Sequence, residues 1–185
     1  MVAARVLARH ADGLGQGRVD RRERLARLDL HQGAPLRARR QRGAKAQAIG
    51  VSRGGQTTKV HVVTDVLGRP AVIHLTPGNA SDVTAAPHVI AAIPGRLKRL
   101  VADRGYDADA LRRDLRAAGA TPIIPGRRTR KRPIRHDASR YKDRWRIEAA
   151  FCRLKDFRRV ATRYDKLAAN FASAVALASI VAFWC

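Results

Sequence analysis

The sequence predicts an α/β fold, helices layered on a sheet, and three observations lead there. A β-branched stretch at 57–76, broken by a turn, reads as a β-hairpin. Short apolar runs then alternate with segments of helical period as far as residue 125. The remainder is a basic loop, a long helical pattern and a final apolar one. At 185 residues the chain is long enough for one core.

The elements follow in order. Thr57-Thr-Lys-Val-His-Val-Val-Thr64 alternates, Asp65-Val-Leu-Gly68 supplies a turn, and Ala71-Val-Ile-His-Leu-Thr76 returns to Pro77-Gly78. Ser81 and Asp82 are suited to cap a helix running to about Ile93, where Pro94-Gly95 stops it. Leu97 to Ala102 fits a short buried strand ending at Asp103, and Asp107 to Ala118 a helix that Asp107 caps and Gly119 closes. Thr121 to Pro125 is a brief strand, Gly126 to about Arg140 a basic loop, and a long helix begins near Tyr141. The last helix covers Ala168 to Trp184. Its apolar run, Phe171 to Trp184, is 14 residues, short of the ~20 needed to span a bilayer. No internal repeat and no glycine-rich phosphate loop is present.

Residues 1–50 differ in texture. They hold 12 Lys and Arg against four acids, with no legible strand, and Arg37-Ala-Arg-Arg-Gln-Arg-Gly43 reads as a mobile basic tail. The expected division is a basic segment over 1–42, disordered or out of frame, and a catalytic domain over 43–185.

Charge is the loudest global signal: 38 Lys and Arg against 15 Asp and Glu, a net charge of +23 and a pI of about 11.7. Such a field attracts polyanions and makes nucleic acid the expected partner. Cys152 and Cys185 form no disulfide framework, the six histidines show no ligand spacing, and the opening residues are too broken by Arg for a secretory signal. The expectation is a soluble, cytoplasmic protein with no membrane role.

Two places carry chemistry. Asp103 stands where a buried strand runs out, at a rim suited to a hard cation, although a carboxylate there also serves as a turn or cap. In the long helix, Tyr141, Arg144, Glu148 and Lys155 lie at offsets 0, +3, +7 and +14. At ~100° per residue they share a wedge about 60° wide. Ile147, Phe151 and Leu154 make the neighbouring apolar stripe. One edge of a docked helix thus presents a carboxylate among two cations and a phenol; an exposed face of ion pairs is the plainer alternative. In the basic loop, Arg127, Arg128, Arg130, Lys131 and Arg132 are candidates for tracking a DNA backbone. Trp145 and Trp184 are residues able to stack on bases, a role less common than packing in a core.

Tyr141-x2-Arg144-x3-Glu148-x6-Lys155 resembles the Tyr-Arg-Glu-Lys signature of bacterial insertion-sequence transposases of the Asp-Asp-Glu (DDE) class. Gly50 to Lys59, Leu75 to Gly78, Ala102 to Asp107 and Arg158 to Lys166 resemble the same family in the same order, so the likeness covers about residues 43–184. It implies an RNase H-like core, a mixed sheet flanked by helices. It also implies a three-carboxylate site for divalent metal, Mg²⁺ by family habit, that cleaves and transfers DNA strands at element ends, with the protein oligomeric on DNA. Asp103 matches the second carboxylate and Glu148 the third, both as metal ligands; Arg144 and Lys155 match phosphate-holding positions, and Tyr141 a supporting one.

The match fails upstream. The family's first Asp belongs to the first core strand, in a setting this chain does not reproduce. Asp29 lies at about the right distance with the wrong flanks, and Asp20 fits less well. The expected sheet therefore lacks its first strand, as after a frameshift. Three readings stand: a DDE transposase, an inactive remnant that only binds DNA, and a non-enzymatic basic nucleic-acid-binding protein.

Overall fold

The computed structural model describes residues 46–53 and 55–185, and, before them, the backbone of two strands at 23–28 and 32–33. The expected hairpin is its centre. Strand β4 (Gly55–Thr64) pairs antiparallel with β5 (Pro70–Pro77), His61 opposite His74. In the turn, the Asp65 carboxylate accepts from Leu67 N and Arg69 N, both at 2.9 Å. Gly68 takes φ +82°, a region that glycine enters without a Cβ clash.

The other edge of β4 pairs antiparallel with β1 (Glu23–Leu28), β1 pairs parallel with β6 (Arg99–Val101), and β6 parallel with β7 (Thr121–Ile123). The main order is thus β5-β4-β1-β6-β7. Two short strands, β2 (Gln32–Gly33) and β3 (Gly50–Ser52), pair with the start of β4. The sheet is mixed, antiparallel on one side of β1 and parallel on the other, as expected.

β1 corrects the expectation that no strand lies within residues 1–50 and that the sheet lacks its first. Glu23-Arg-Leu-Ala-Arg-Leu28 has three charges in six residues and no clean alternation. Its place between β4 and β6 comes from hydrogen-bonding partners far along the chain, which local patterning does not register. Asp20, Asp29 and the tail at 37–43 lie outside the described residues.

The helices cover both faces. On one, α1 (Asp82–Ala91) and α2 (Asp109–Ala117) pack Val89, Leu111 and Leu115 against Val63 and Leu100. On the other, α4 (Trp145–Lys155) and α6 (Ala168–Trp184) pack Ile147, Phe151, Phe171 and Val175 against Val60, Val62 and Val101. Alternate residues of β4 therefore enter different cores, and the strand is almost wholly buried from Thr57 onward, where its sequence suggested a half-exposed alternation. Two short helices complete the set, α3 (Ala138–Tyr141) and α5 (Arg158–Ala161).

Arg163, 2% exposed, ties the C-terminal part to the sheet. Its guanidinium donates to Thr58 Oγ1, to the carbonyls of Gln47 (2.6 Å), Lys166 (3.1 Å) and Asp165 (2.8 Å), and lies 5.0 Å from the Phe171 ring centre. Among the described residues, no helix is long and apolar enough to cross a membrane.

Candidate active site

Asp103 stands just past β6, where the sequence placed it. Its carboxylate accepts from Arg104 N at 2.6 Å and caps a 3₁₀ turn, Arg104–Tyr106. Tyr106 is buried, its hydroxyl 3.0 Å from His61 Nδ1, while His61 Nε2 lies 2.7 Å from Thr76 Oγ1. Gly105 lies so close to Asp82 that a Cβ there would come within 2.4 Å of Oδ2. Lys59 fixes that carboxylate at 2.8 Å and donates to Ala80 O at 2.9 Å. Lys59 and Asp82, the latter read in the sequence as a helix cap, are thus one seat for the Asp103 turn.

Asp107 does not cap α2, contrary to expectation; the cap position is Ala108. Its fully enclosed carboxylate instead receives Arg112 Nη2 (2.8 Å), Arg130 Nε (2.6 Å) and Arg127 N (2.8 Å). Burial pushes its pKa up, but the hydrogen bonds from Arg130, Arg127 and Arg112 outweigh this and hold it at about 2. These partners lie up to 23 residues away, which is why helix-cap reasoning missed them.

The long helix near Tyr141 has three parts: α3, a 3₁₀ turn Lys142–Arg144, and α4. Residues three apart eclipse in a 3₁₀ turn, and the Arg144 guanidinium lies 5.6 Å from the Tyr141 ring centre. His136 meets that ring edge-on, with centroids 5.4 Å apart. Ile147, Phe151 and Leu154 are buried, so the predicted apolar stripe docks the helix.

Arg144 joins the two carboxylates. Its Nη2 is 2.6 Å from Glu148 Oε1 and its Nη1 3.9 Å from Asp103 Oδ2. Strand end and helix therefore meet at one guanidinium, with Asp103 and Glu148 both partly open to solvent. Lys155 is exposed on the same helix, about 10 Å further along its axis, and no contact draws it into this group.

The basic loop divides. Arg130 is bound to Asp107 and Asp109, and Arg127 donates its Nη2 to Gly105 O at 2.9 Å, so both clasp the loop to the Asp103 turn. Arg128, Lys131 and Arg132 are exposed.

β1 bears on the missing carboxylate. The register with β6 ends at Leu25 opposite Val101, while the only acid of β1, Glu23, is opposite Arg99 at the end away from Asp103. Among the described residues no three His, Cys, Asp or Glu side chains gather as a metal cluster. Two hard, solvent-accessible carboxylates nonetheless suit a cation such as Mg²⁺, which keeps several waters and takes one or two carboxylates together with substrate phosphate. Asp103 and Glu148 fit as that pair.

A mixed sheet whose strand end and flanking helix bring two carboxylates to one arginine defines an α/β protein with a polar site at the sheet rim. The family described as "Transposase DDE domain" matches residues 31–183. The chain belongs to that family, whose members generally use divalent metal ions. It is 37% identical over 126 residues to the transposase ascribed to insertion sequence element IS6501 of Brucella ovis, covering 66% of this chain and 94% of that one. It is 37% identical over 121 residues to the one ascribed to IS402 of Burkholderia cepacia, covering 60% of this chain. Of that relative's length the match spans 55%. Among solved structures, the catalytic core domain of BIV integrase is similar with a TM-score of 0.45 at 14% identity, covering 84% of this chain and 80% of that one.

Proposed function

We propose that this chain cleaves and transfers DNA strands at the ends of an insertion sequence, with Mg²⁺ held by Asp103 and Glu148. The observation that carries the reading is the Arg144 guanidinium between those carboxylates. When bound, the cation polarises the phosphodiester and supports in-line displacement. Arg144 neutralises the scissile phosphate, and Tyr141, against its guanidinium, limits its rotamers. Lys155, further along α4, holds the strand by its backbone. Arg128, Lys131 and Arg132 extend the track, while Arg127 and Arg130 keep the loop in place. The catalytic unit includes β1 together with residues 43–185, and it is oligomeric on DNA and works in the cytoplasm.

Asp103→Asn and Glu148→Gln should each lower Mg²⁺-dependent nicking of element-end DNA by about 10²-fold or more. Both should leave DNA affinity, read by fluorescence anisotropy, equal or tighter, because a negative charge is lost. Equal nicking by wild type and both variants would sink the assignment. Asp29→Ala belongs in the same series: a matching loss makes Asp29 the third carboxylate, and wild-type rates remove it.

A further inference from the structure

The last helix has no charged side. Over its 17 residues, Ala168 to Trp184, α6 carries no Asp, Glu, Lys, Arg or His, in a chain whose net charge is +23. One face is enough to dock it: Phe171, Val175, Ala178 and Ser179 are buried. At ~100° per residue, Asn170, Ser173, Leu177, Val181 and Trp184 fall in a stripe about 80° wide on the side away from that face. Leu177 is 63% exposed and Val181 56%, two large apolar side chains one turn apart in water. A surface helix ordinarily turns a polar face outward, and one that is apolar all round is covered.

The stripe can be covered at little cost. The Ser173 hydroxyl already donates to Ala169 O at 3.0 Å, so burying it loses no hydrogen bond. The Arg69 guanidinium beside the Trp184 ring is paired with Asp65 at 2.7 Å, so the cation at the apolar end is neutralised. No residue of the stripe is a cation that could meet a phosphate, which excludes a nucleic-acid backbone as its occupant.

The order of the stripe points to the occupant. Leu177 is its midpoint, with Ser173 four residues before and Val181 four after, Asn170 seven before and Trp184 seven after. Turned end for end about Leu177, the stripe sets each smaller side chain against a larger one. That is the self-complementarity a twofold interface requires. Two copies of a +23 chain repel wherever their cations face each other, and a helix without charge is a surface on which they can approach.

We infer that α6 pairs antiparallel with α6 of a second copy of this chain, about a twofold axis at Leu177. A single helix pair makes a small interface, so the dimer is reversible. This gives a surface to the oligomer proposed above, and it stands without DNA.

The test is sedimentation equilibrium of the whole chain, without DNA and in 0.5 M NaCl to screen repulsion. Between 2 and 200 µM the mass should rise from 20.4 kDa toward twice that value. Leu177→Lys places two cations on the axis and should weaken the dimer by about tenfold or more. Its circular dichroism should match wild type, because the helix docks through other residues. Register is read by oxidative crosslinking after the two exposed cysteines are removed, as Cys152→Ser and Cys185→Ser. Leu177→Cys should link to its own copy, whether or not the Lys variant folds. Asn170→Cys should not, since an antiparallel pair holds those positions roughly 20 Å apart. Crosslinking at both positions means a parallel pair and overturns the inference. A dimer that Leu177→Lys leaves intact overturns this face while the oligomer stands. A wild type that is monomeric at every concentration overturns the inference too, and the same run with element-end duplex then shows whether an oligomer forms on DNA alone.

Discussion

His61 shows how one residue's environment sets a property of the whole protein. It is fully buried, and centroid distances of 5.9 Å to His74 and 5.8 Å from His74 to His88 make a row of three imidazoles. Burial pulls the His61 pKa down to about 4, with Asp82 opposing and His74 and Lys59 assisting. Burial and then His88 lower that of His74 as well. The folded values lie below the unfolded one, so the unfolded chain binds more protons between about pH 6.5 and 4. Stability therefore falls as pH drops through that window, by roughly 3 kcal/mol for His61 alone. Urea unfolding at pH 7, 5.5 and 4.5 should show the decline, and His61→Gln should flatten it. An unchanged slope in the variant would refute this origin. Some placements were readable beforehand: Asp103 at a strand end, and Glu148 and Arg144 together on one edge of a helix. His61 was not, because its partners Tyr106 and Thr76 meet it only across the folded sheet.

Among elements, the basic loop is the one held in place chiefly by ion pairs. Arg130 reaches Asp107 and Asp109 at 2.6 Å each, which leaves Arg128, Lys131 and Arg132 facing water. Arg130→Met should lower the urea midpoint, because it removes one partner of the enclosed Asp107 carboxylate. It should also speed amide hydrogen exchange across 126–135 while α6 keeps its protection. Unaltered exchange would mean that the clasp does not order the loop. The sequence told helices from strands well where turn chemistry was strong, as at Asp65-Val-Leu-Gly68. It hid the 3₁₀ turn at Lys142–Arg144, because a tighter turn of three residues leaves apolar spacing almost unchanged. It hid β1 for the opposite reason: a charged strand is stabilised there by two ladders, not by its own composition.

For the molecule as a whole, the net charge of +23 bears on how DNA would be held under the proposed function. Each phosphate neutralised on duplex DNA adds about −0.9 to the slope of log affinity against log salt. Arg128, Lys131, Arg132, Arg144 and Lys155 together would give a slope near −4 to −5. Replacing Arg128, Lys131 and Arg132 with Ala should make it shallower by about 2.7, measured by anisotropy between 50 and 200 mM salt. A slope that does not change would place the DNA elsewhere on the surface.

The position of β1 also bears on synthesis. Among the described strands it is the first to be synthesised, yet it joins the antiparallel half of the sheet to the parallel half, and its partner Arg99 follows Glu23 by 76 residues. At about 5–20 residues per second, translation leaves β1 waiting roughly 4–15 s for β6. Until then it has an unpaired edge, and the nascent chain depends on whatever shields that edge in the meantime.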